Sequence, residues 1–205
     1  MQSTLVTTAI VLGVTAFGVF IVWVIRRQIE WQAAADRAWR AYAERRHLKW
    51  TDASGPWYRR IGYQIDGDID GVRAKFDQFT VSTGKSSVRY SRVSAELARA
   101  APERLIVCRK SFNNRVNFAF QGPLLELDGS SGAEPLLVRS KSETFARSMV
   151  DQRLRSALYA LPPRTTVELR DRQAKVWWLG AERDPAVLDR AANLLVGVVR
   201  AAAKA

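Results

Sequence analysis

Four aspartates between residues 66 and 77 stand at the spacing of a calcium-binding loop. Asp66, Asp68 and Asp70 offer oxygens at positions 1, 3 and 5, Gly71 stands at position 6, and Asp77 stands at position 12. Against this reading, position 12 carries a shorter carboxylate than the usual glutamate, and position 8 carries an arginine. The flanking residues also alternate between polar and apolar, as in strands. A calcium site is therefore one of two interpretations of this segment.

The other interpretation is a β-hairpin that turns at Asp70-Gly71, a dipeptide typical of two-residue turns. In this register apolar residues meet small or apolar ones, and the other two aspartates meet basic residues. The predicted pairs are Ile69 with Val72, Asp68 with Arg73, Gly67 with Ala74, Asp66 with Lys75, and Ile65 with Phe76. Because turn and pairing agree on one register, the hairpin is favoured over the calcium loop.

Signals for nucleotide binding or catalysis are weak. The segment 83–86 resembles the end of a phosphate-binding loop, but Phe79 stands where the first glycine belongs and a strand follows. Cys108 and His47 are a nucleophile and base in principle, yet nothing supplies the third, orienting group. The single histidine has one carboxylate at helical spacing, Glu44, and one such pair does not make a metal site. We assign no catalytic residue, no cofactor and no metal ligand.

Aromatic and basic residues indicate an interaction surface. Trp57, Arg59 and Arg60 follow one another closely where a helical pattern gives way to strands. Neighbouring residues of a strand point to opposite faces, so Trp177 and Trp178 cannot both face the core. We name Trp57, Arg59, Arg60 and Trp177 as a possible interaction surface. The alternative is that the aromatic rings anchor the junction while the arginines face solvent.

An apolar run near the N-terminus predicts a membrane anchor. Residues 5–25 contain no charged residue, Asn, Gln or Pro, and as a helix they span about 31 Å, which matches a bilayer core. A secretory signal peptide is the rival interpretation. It requires a basic residue before the run and a shorter apolar core, and neither is present. We therefore predict a transmembrane helix over residues 1–27.

The charges that flank this run predict its orientation. No Lys or Arg precedes it, whereas Arg26 and Arg27 follow it directly, so the rest of the chain is expected on the cytoplasmic side. Trp23 and Trp31, with these two arginines, are the predicted membrane contacts. The 26–60 segment carries nine basic and four acidic residues, a net charge of +5. A basic segment next to a membrane is attracted to anionic lipid at about 1 kcal/mol per basic residue.

The remaining chain reads as an α+β domain. Residues 28–50 are rich in helix-forming residues with one apolar face, so we expect the anchor to continue as a juxtamembrane helix to about Leu48. From residue 57 to 203, alternating segments predict an antiparallel sheet with helices packed on one face. Strands are expected near 63–70, 72–81, 88–93, 105–108, 116–120, 136–138, 167–169 and 175–179. A helix is expected from a capping box at Ser140 to Leu161, and another after Asp184-Pro185.

The order of these features resembles uncharacterised bacterial single-pass membrane proteins with a cytoplasmic α+β domain. The segments that carry the resemblance are Trp39 with Leu48-Lys-Trp50, Gly67-Asp-Ile-Asp-Gly-Val72, Phe79-Thr-Val-Ser-Thr-Gly84, and Tyr90-Ser-Arg-Val93. It covers residues 30–100 and 136–203. The resemblance implies a location at the bacterial inner membrane and assigns no activity.

Composition narrows the function without naming it. One cysteine excludes a disulfide framework, and 47% hydrophobic residues exclude a disordered chain. The net charge of +12 permits anionic partners, but the basic residues are spread along the chain, which disfavours a nucleic-acid reader. We expect a membrane-tethered interaction or scaffold module whose partners are the lipid bilayer and another protein or a second copy. A ligand-binding or enzymatic domain, and anionic lipid or nucleic-acid binding, remain the alternatives.

Overall fold

The computed structural model describes residues 2–52, 62–82, 87–110, 124–127 and 135–205, with the backbone alone for residues 2–14 and Leu124. The predicted interaction residues Trp57, Arg59 and Arg60 lie outside the described residues. The strand predicted at residues 116–120 and the 83–86 segment also lie outside them.

Helix α1 spans Gln2–Arg45 without a break. It ends at Arg45 and not at the predicted Leu48, because His47 adopts a left-handed conformation (φ 53°) and Leu48 N–H bonds back to the carbonyl of Ala43 at 2.8 Å. From residue 15 to residue 32 every side chain is exposed. Within the part of the chain that the structure describes, no helix combines the length and hydropathy of a membrane span.

The described residues form nine strands of one antiparallel sheet, which confirms the predicted α+β class. Its order is β1-β2-β3-β4-β9-β8-β5-β7-β6. The strands are β1 (Lys49–Thr51), β2 (Gln64–Ile69), β3 (Val72–Ser82), β4 (Ser87–Glu96), β5 (Leu105–Arg109), β6 (Leu124–Leu127), β7 (Leu136–Arg139), β8 (Thr166–Arg170) and β9 (Gln173–Leu179). Strand β1, which pairs with β2, replaces the end of the predicted juxtamembrane helix.

The hairpin between β2 and β3 has the predicted register, from Ile69 opposite Val72 to Ile65 opposite Phe76. Asp70 (φ 53°) and Gly71 (φ 83°) are both left-handed, as a two-residue type I′ turn requires. The carboxylate of Asp68 accepts a hydrogen bond from Gly71 N–H at 2.8 Å and so supports the turn. The calcium-loop alternative is wrong, since its first two aspartates stand in a strand ladder.

Two helices follow strand β7, and a third follows β9. Helix α2 spans Glu143–Met149, α3 spans Gln152–Tyr159 and α4 spans Pro185–Ala202. The single helix predicted between Ser140 and Leu161 is wrong in detail. Asp151 caps a new helix by accepting from Leu154 N–H at 2.8 Å, and this competes with continuation of α2.

The core lies between one face of the sheet and the helices. Helix α4 crosses strands β9, β4 and β3 and also contacts α1, α2 and α3. Both Trp39 and Tyr42, near the end of α1, are fully buried in the same core cluster. Burying aromatic side chains of this size contributes on the order of several kcal/mol. The second half of α1 is therefore part of the domain core.

Candidate functional site

Trp31, on the exposed part of α1, lies between two arginine side chains. The guanidinium carbon of Arg27 is 5.6 Å from the centroid of the Trp31 ring, and that of Arg183 is 5.1 Å from it. Arg27 also stacks on Trp23, at 5.5 Å. Each such cation–π contact contributes about 0.5–1 kcal/mol at an exposed site. We call Trp23, Arg27, Trp31 and Arg183 the arginine–tryptophan ladder.

A cavity of about 370 Å³ opens beside the ladder, where strands β3 and β4 end and α1 leaves the sheet. We call it the α1 pocket. Its lining comes from α1, from the two strand ends and from the loop between β9 and α4. The lining residues are Gln28, Trp31, Gln32, Thr80, Ser87, Arg89, Gly180, Ala181 and Arg183. Thr80 pairs directly with Arg89 across the sheet, and Gly180 N–H bonds to the Arg89 carbonyl at 2.8 Å.

Among the described residues that line it, the α1 pocket carries two positive charges and no negative one. Apart from Arg89 and Arg183 its side chains are neutral amides, hydroxyls and one indole. Among the described residues neither guanidinium has a carboxylate partner. Glu30 on the adjacent turn is paired with Arg26 at 3.5 Å. The pocket is therefore suited to an anion, which it would meet with two donors of fixed charge.

Glu182 holds the loop that supplies Arg183. Its carboxylate accepts from Trp178 Nε1 at 3.0 Å and from the next two main-chain N–H groups at 2.8 and 2.9 Å. Its carbonyl accepts from Trp39 Nε1 at 3.0 Å, and its own N–H donates to Ser91 Oγ at 3.1 Å. One residue thus ties the loop to α1, β4 and β9. Glu182 is not among the described residues that line the cavity.

The end of α1 packs into the core, and this packing determines the direction in which the exposed half of the helix leaves the domain. Tyr42 and Trp39 pack edge-on against Phe76 of β3, with ring centroids 5.2 and 6.5 Å away. Asp189 of α4 accepts from Arg46 at 2.8 and 2.9 Å and also pairs with the preceding arginine. Because apolar packing and ion pairs act together, α1 and the sheet form one rigid unit at this point.

Two buried tyrosines, Tyr42 and Tyr63, lie in the same region of the core. Burial raises the pKa of Tyr42, the carboxylate of Asp189 raises it further, and the nearby arginines lower it by less. Burial is also the main reason that the pKa of Tyr63 is raised, with a contribution from Asp36. Tyr63 accepts a hydrogen bond from Gln78 Nε2 at 2.5 Å. Both phenols are neutral at physiological pH.

An aromatic cluster occupies the opposite face of the sheet. Trp177 packs edge-on against Tyr90, which stacks on Phe79, with centroids 5.3 Å apart in each pair. Arg92 lies 4.8 Å from the Phe79 ring and forms two hydrogen bonds to Asp77, at 2.8 and 2.6 Å. Trp178, the neighbour of Trp177, is fully buried under the helices. Trp177 is half-buried, and it is separated from the α1 pocket by the sheet.

The predicted site residues thus fall into three groups. Trp23, Arg27 and Trp31 come together in the ladder, and Arg26 forms an ion pair with Glu30 on the same helix. Trp177 lies elsewhere, and the three residues near position 57 are outside the described part. No sequence pattern indicated Arg89, Arg183 or Glu182, because neither the β4 end nor the loop carries a motif. The only usable sign was the Asp184-Pro185 cap, which sets where α4 begins.

A second cavity, of about 540 Å³, lies between α3 and α4. The residues that line it include the apolar Leu154, Leu194 and Val198, the basic Arg153, Arg200 and Lys204, and the acidic Asp151. Among the described residues, no group of three or more His, Cys, Asp or Glu side chains is close enough together to hold a metal ion.

Comparisons with known proteins give a fold. No family model and no curated protein matches the chain. Among solved structures, the chain is similar to the crystal structure of the mycobacterial trehalose monomycolate transport factor A, TtfA, with a TM-score of 0.55 and 10% identity. The match covers 82% of this chain and 93% of that chain. At this identity the likeness concerns the arrangement of helices and strands alone. The resemblance to uncharacterised single-pass membrane proteins stays a prediction.

Proposed function

We propose that this protein is a membrane-tethered interaction module, with residues 5–25 in the inner membrane and the α+β domain on its cytoplasmic side. The observation that carries the proposal is the exposed apolar half of α1. Its large apolar side chains are between 40% and 66% exposed: Phe17, Val19, Phe20, Ile21, Val22, Trp23, Val24 and Ile25. A helix that is apolar all round requires a lipid or protein environment.

The orientation rests on charge. The first 25 residues contain no Lys or Arg, and 32 basic residues follow. Segments rich in Lys and Arg close to a span stay on the cytoplasmic side. Trp23, Arg27 and Trp31 then lie where the aromatic and basic residues of membrane proteins meet the headgroups. The continuous helix α1 supports a domain that is held close to the bilayer and not on a flexible linker.

Membrane extraction tests the tether. We expect the full-length chain to remain in the pellet when membranes are washed at alkaline pH. Lysines placed inside the run, in the double variant Thr15→Lys with Gly18→Lys, should release it, because each costs about 2.5–3.5 kcal/mol at the centre of a span. The matched control, Ala41→Lys with Thr144→Lys, adds the same charge at exposed positions of the domain and should stay in the pellet.

Either of two results would contradict the tether. One is release of the unmodified chain by the alkaline wash. The other is equal retention of the two double variants. Protease treatment of spheroplasts tests the orientation, since a cytoplasmic domain is protected until the membrane is opened, whereas digestion in intact spheroplasts would place the domain outside.

A second candidate follows from the fold. The similar solved structure is that of a trehalose monomycolate transport factor, and the match spans nearly all of it. By this analogy the present chain is a factor in the transport of a glycolipid. The test is depletion of the protein in its host. Accumulation of a glycolipid on the inner side supports this role, and an unchanged glycolipid distribution argues against it.

A further inference from the structure

We propose that the α1 pocket binds the phosphate-bearing polyol headgroup of an anionic membrane lipid. This inference rests on the membrane tether proposed above and assigns a ligand to the pocket at its base. The partner is identified by chemistry alone. Two arginines face the cavity, and four neutral polar side chains that suit a hydroxylated headgroup stand beside them: Gln28, Gln32, Thr80 and Ser87.

The charge of the pocket selects for an anion. Arg89 and Arg183 come from different elements, and within the described residues no carboxylate neutralises either. Arg89 is placed by its pairing with Thr80 in the hairpin, and Arg183 by the Glu182 loop and by its stacking on Trp31. Arginine binds phosphate through two parallel N–H donors, and these give direction as well as attraction. Because the Arg183 side chain is placed beforehand by Trp31, less conformational entropy is lost on binding.

The neutral lining adds selectivity. Amide and hydroxyl groups donate to and accept from sugar or glycerol hydroxyls, while a choline group would place a third cation beside two arginines. The cavity volume of about 370 Å³ is in the lower part of the range of small-ligand sites. A headgroup fits such a volume, whereas a headgroup together with an acyl chain does not. A glycerol or inositol phosphate fits this combination of charge, hydrogen bonding and size.

The position of the pocket along α1 is consistent with a ligand that belongs to a membrane lipid. At 1.5 Å per residue, residues 28–32 lie about 5–10 Å beyond residue 25 along the helix axis. The headgroup layer on each side of the hydrocarbon core is about 5–8 Å thick. A cavity lined by Gln28 and Gln32 therefore stands at the level of the headgroups when residues 5–25 span the core. The ladder residues, from Trp23 to Arg183, extend from the apolar part of α1 to the pocket.

The test is binding of lipids to the full-length chain in a neutral detergent, followed by thermal unfolding and by calorimetry. Short-chain phosphatidylglycerol and phosphatidylinositol should raise the unfolding temperature, and phosphatidylcholine with the same chains should not. The double variant Arg89→Gln with Arg183→Gln should weaken phosphatidylglycerol binding by at least about ten-fold, because two charged donors are lost. The matched control Arg73→Gln with Arg170→Gln removes two exposed arginines at the other end of the sheet, beside the β2–β3 and β8–β9 turns, and should bind like the unmodified chain.

Several outcomes would overturn the proposal. Equal binding of phosphatidylglycerol and phosphatidylcholine removes the anion site, and equal binding by the double variant moves it elsewhere. Equal affinity for free glycerol phosphate or inositol phosphate assigns the pocket to a soluble ester and removes the lipid source. An unchanged unfolding temperature of the ligand-free double variant is required, and Arg89→Lys with Arg183→Lys, which keeps the charge, should retain part of the affinity.

The tether and the pocket can fail separately. Membrane retention without lipid binding in detergent leaves the tether and removes the pocket. Selective lipid binding by a chain that the alkaline wash releases leaves the headgroup site and removes the transmembrane helix.

Discussion

At the residue scale, Glu182 makes the largest number of distinct connections near the pocket. Its carboxylate satisfies the indole N–H of the fully buried Trp178, and its carbonyl satisfies that of Trp39. An unsatisfied buried donor costs about 1–3 kcal/mol. The side chain therefore matters more for the order of the loop than for the charge that it adds near the pocket.

We predict that Glu182→Ala lowers the free energy of unfolding by about 1–3 kcal/mol, because Trp178 Nε1 loses its acceptor. Chemical denaturation followed by tryptophan fluorescence measures this. The matched variant Glu182→Gln keeps an oxygen acceptor and should lose less than half as much. If the alanine and glutamine variants are equally destabilised, the negative charge of Glu182 stabilises the protein and its hydrogen bond with the Trp178 indole does not.

A second residue-scale prediction concerns alkaline pH. Burial first, and Asp189 second, raise the pKa of Tyr42, so the unfolded phenol ionises near its ordinary value of about 10 while the folded one stays protonated. The contribution of Tyr42 to stability is complete below pH 10 and declines as the pH rises above it. Tyr42→Phe should flatten the loss of stability between about pH 10 and 11, as denaturant titrations will show.

The same substitution has a second expected effect. Within the described residues the Tyr42 hydroxyl is buried and has no hydrogen-bond partner. Removing it should therefore cost little or even stabilise the protein at neutral pH. A steep alkaline loss that persists unchanged in Tyr42→Phe would show that another group dominates.

At the element scale, two glycines stand in opposite situations. Gly71 has φ 83° in the β2–β3 turn, which an L side chain rarely adopts, whereas Gly197 lies in the middle of α4 with nothing within 4 Å of an added Cβ. Gly71→Ala should destabilise the protein by about 1–2 kcal/mol, and Gly197→Ala should stabilise it by about 0.5–1 kcal/mol. Thermal unfolding of the two variants checks both signs. A stabilising Gly71→Ala would contradict the turn type.

The elements that the sequence predicted well are those that local chemistry determines. The β2–β3 register follows from one turn dipeptide and the residues on either side, and the start of α4 follows from the Asp184-Pro185 cap. The break at Asp151 was missed because the hydrophobic pattern continues through it and only the cap competes. Strand β1 was missed because its three residues follow a helix and acquire their conformation by pairing with β2.

The α1 pocket could not be predicted, for a related reason. Three of the four ladder residues, Trp23, Arg27 and Trp31, were named from the sequence, as membrane contacts beside the apolar run. Arg89 and Arg183 join them through the order of the sheet, in which β4 lies beside β9 although 76 residues lie between the two strands. No local pattern specifies that neighbourhood, because it depends on the packing of α1 and α4 over the finished sheet.

At the scale of the whole molecule, the pocket and the β8–β9 turn lie at opposite ends of the sheet. Strand β9 runs from Gln173 beside the turn to Leu179 beside the pocket, about 20 Å at 3.3 Å per residue. In the proposed orientation Ser87 faces the headgroups and the turn at Asp171 faces the cytoplasm. The two positions should therefore differ in their access to lipid.

We predict that a photo-reactive amino acid at position 87 crosslinks to phospholipid in native membranes, and that the same group at Asp171 does not. Mass spectrometry of the crosslinked protein measures the lipid adducts. The position 171 variant serves as the control for general hydrophobic capture. Lipid adducts at both positions would require a domain that lies flat or rotates freely.

Because Trp39 and Tyr42 are buried in the core, the domain holds one end of α1 while the other end extends away from it. About 55 Å of helix extends from Trp39 back to its first turn. A tilt of α1 by about 10° at its buried end displaces the far end by roughly 10 Å. A displacement of the far end by the same distance likewise tilts the helix by about 10°. A protein that tilts the far end of α1 would therefore reorient the sheet by the same angle.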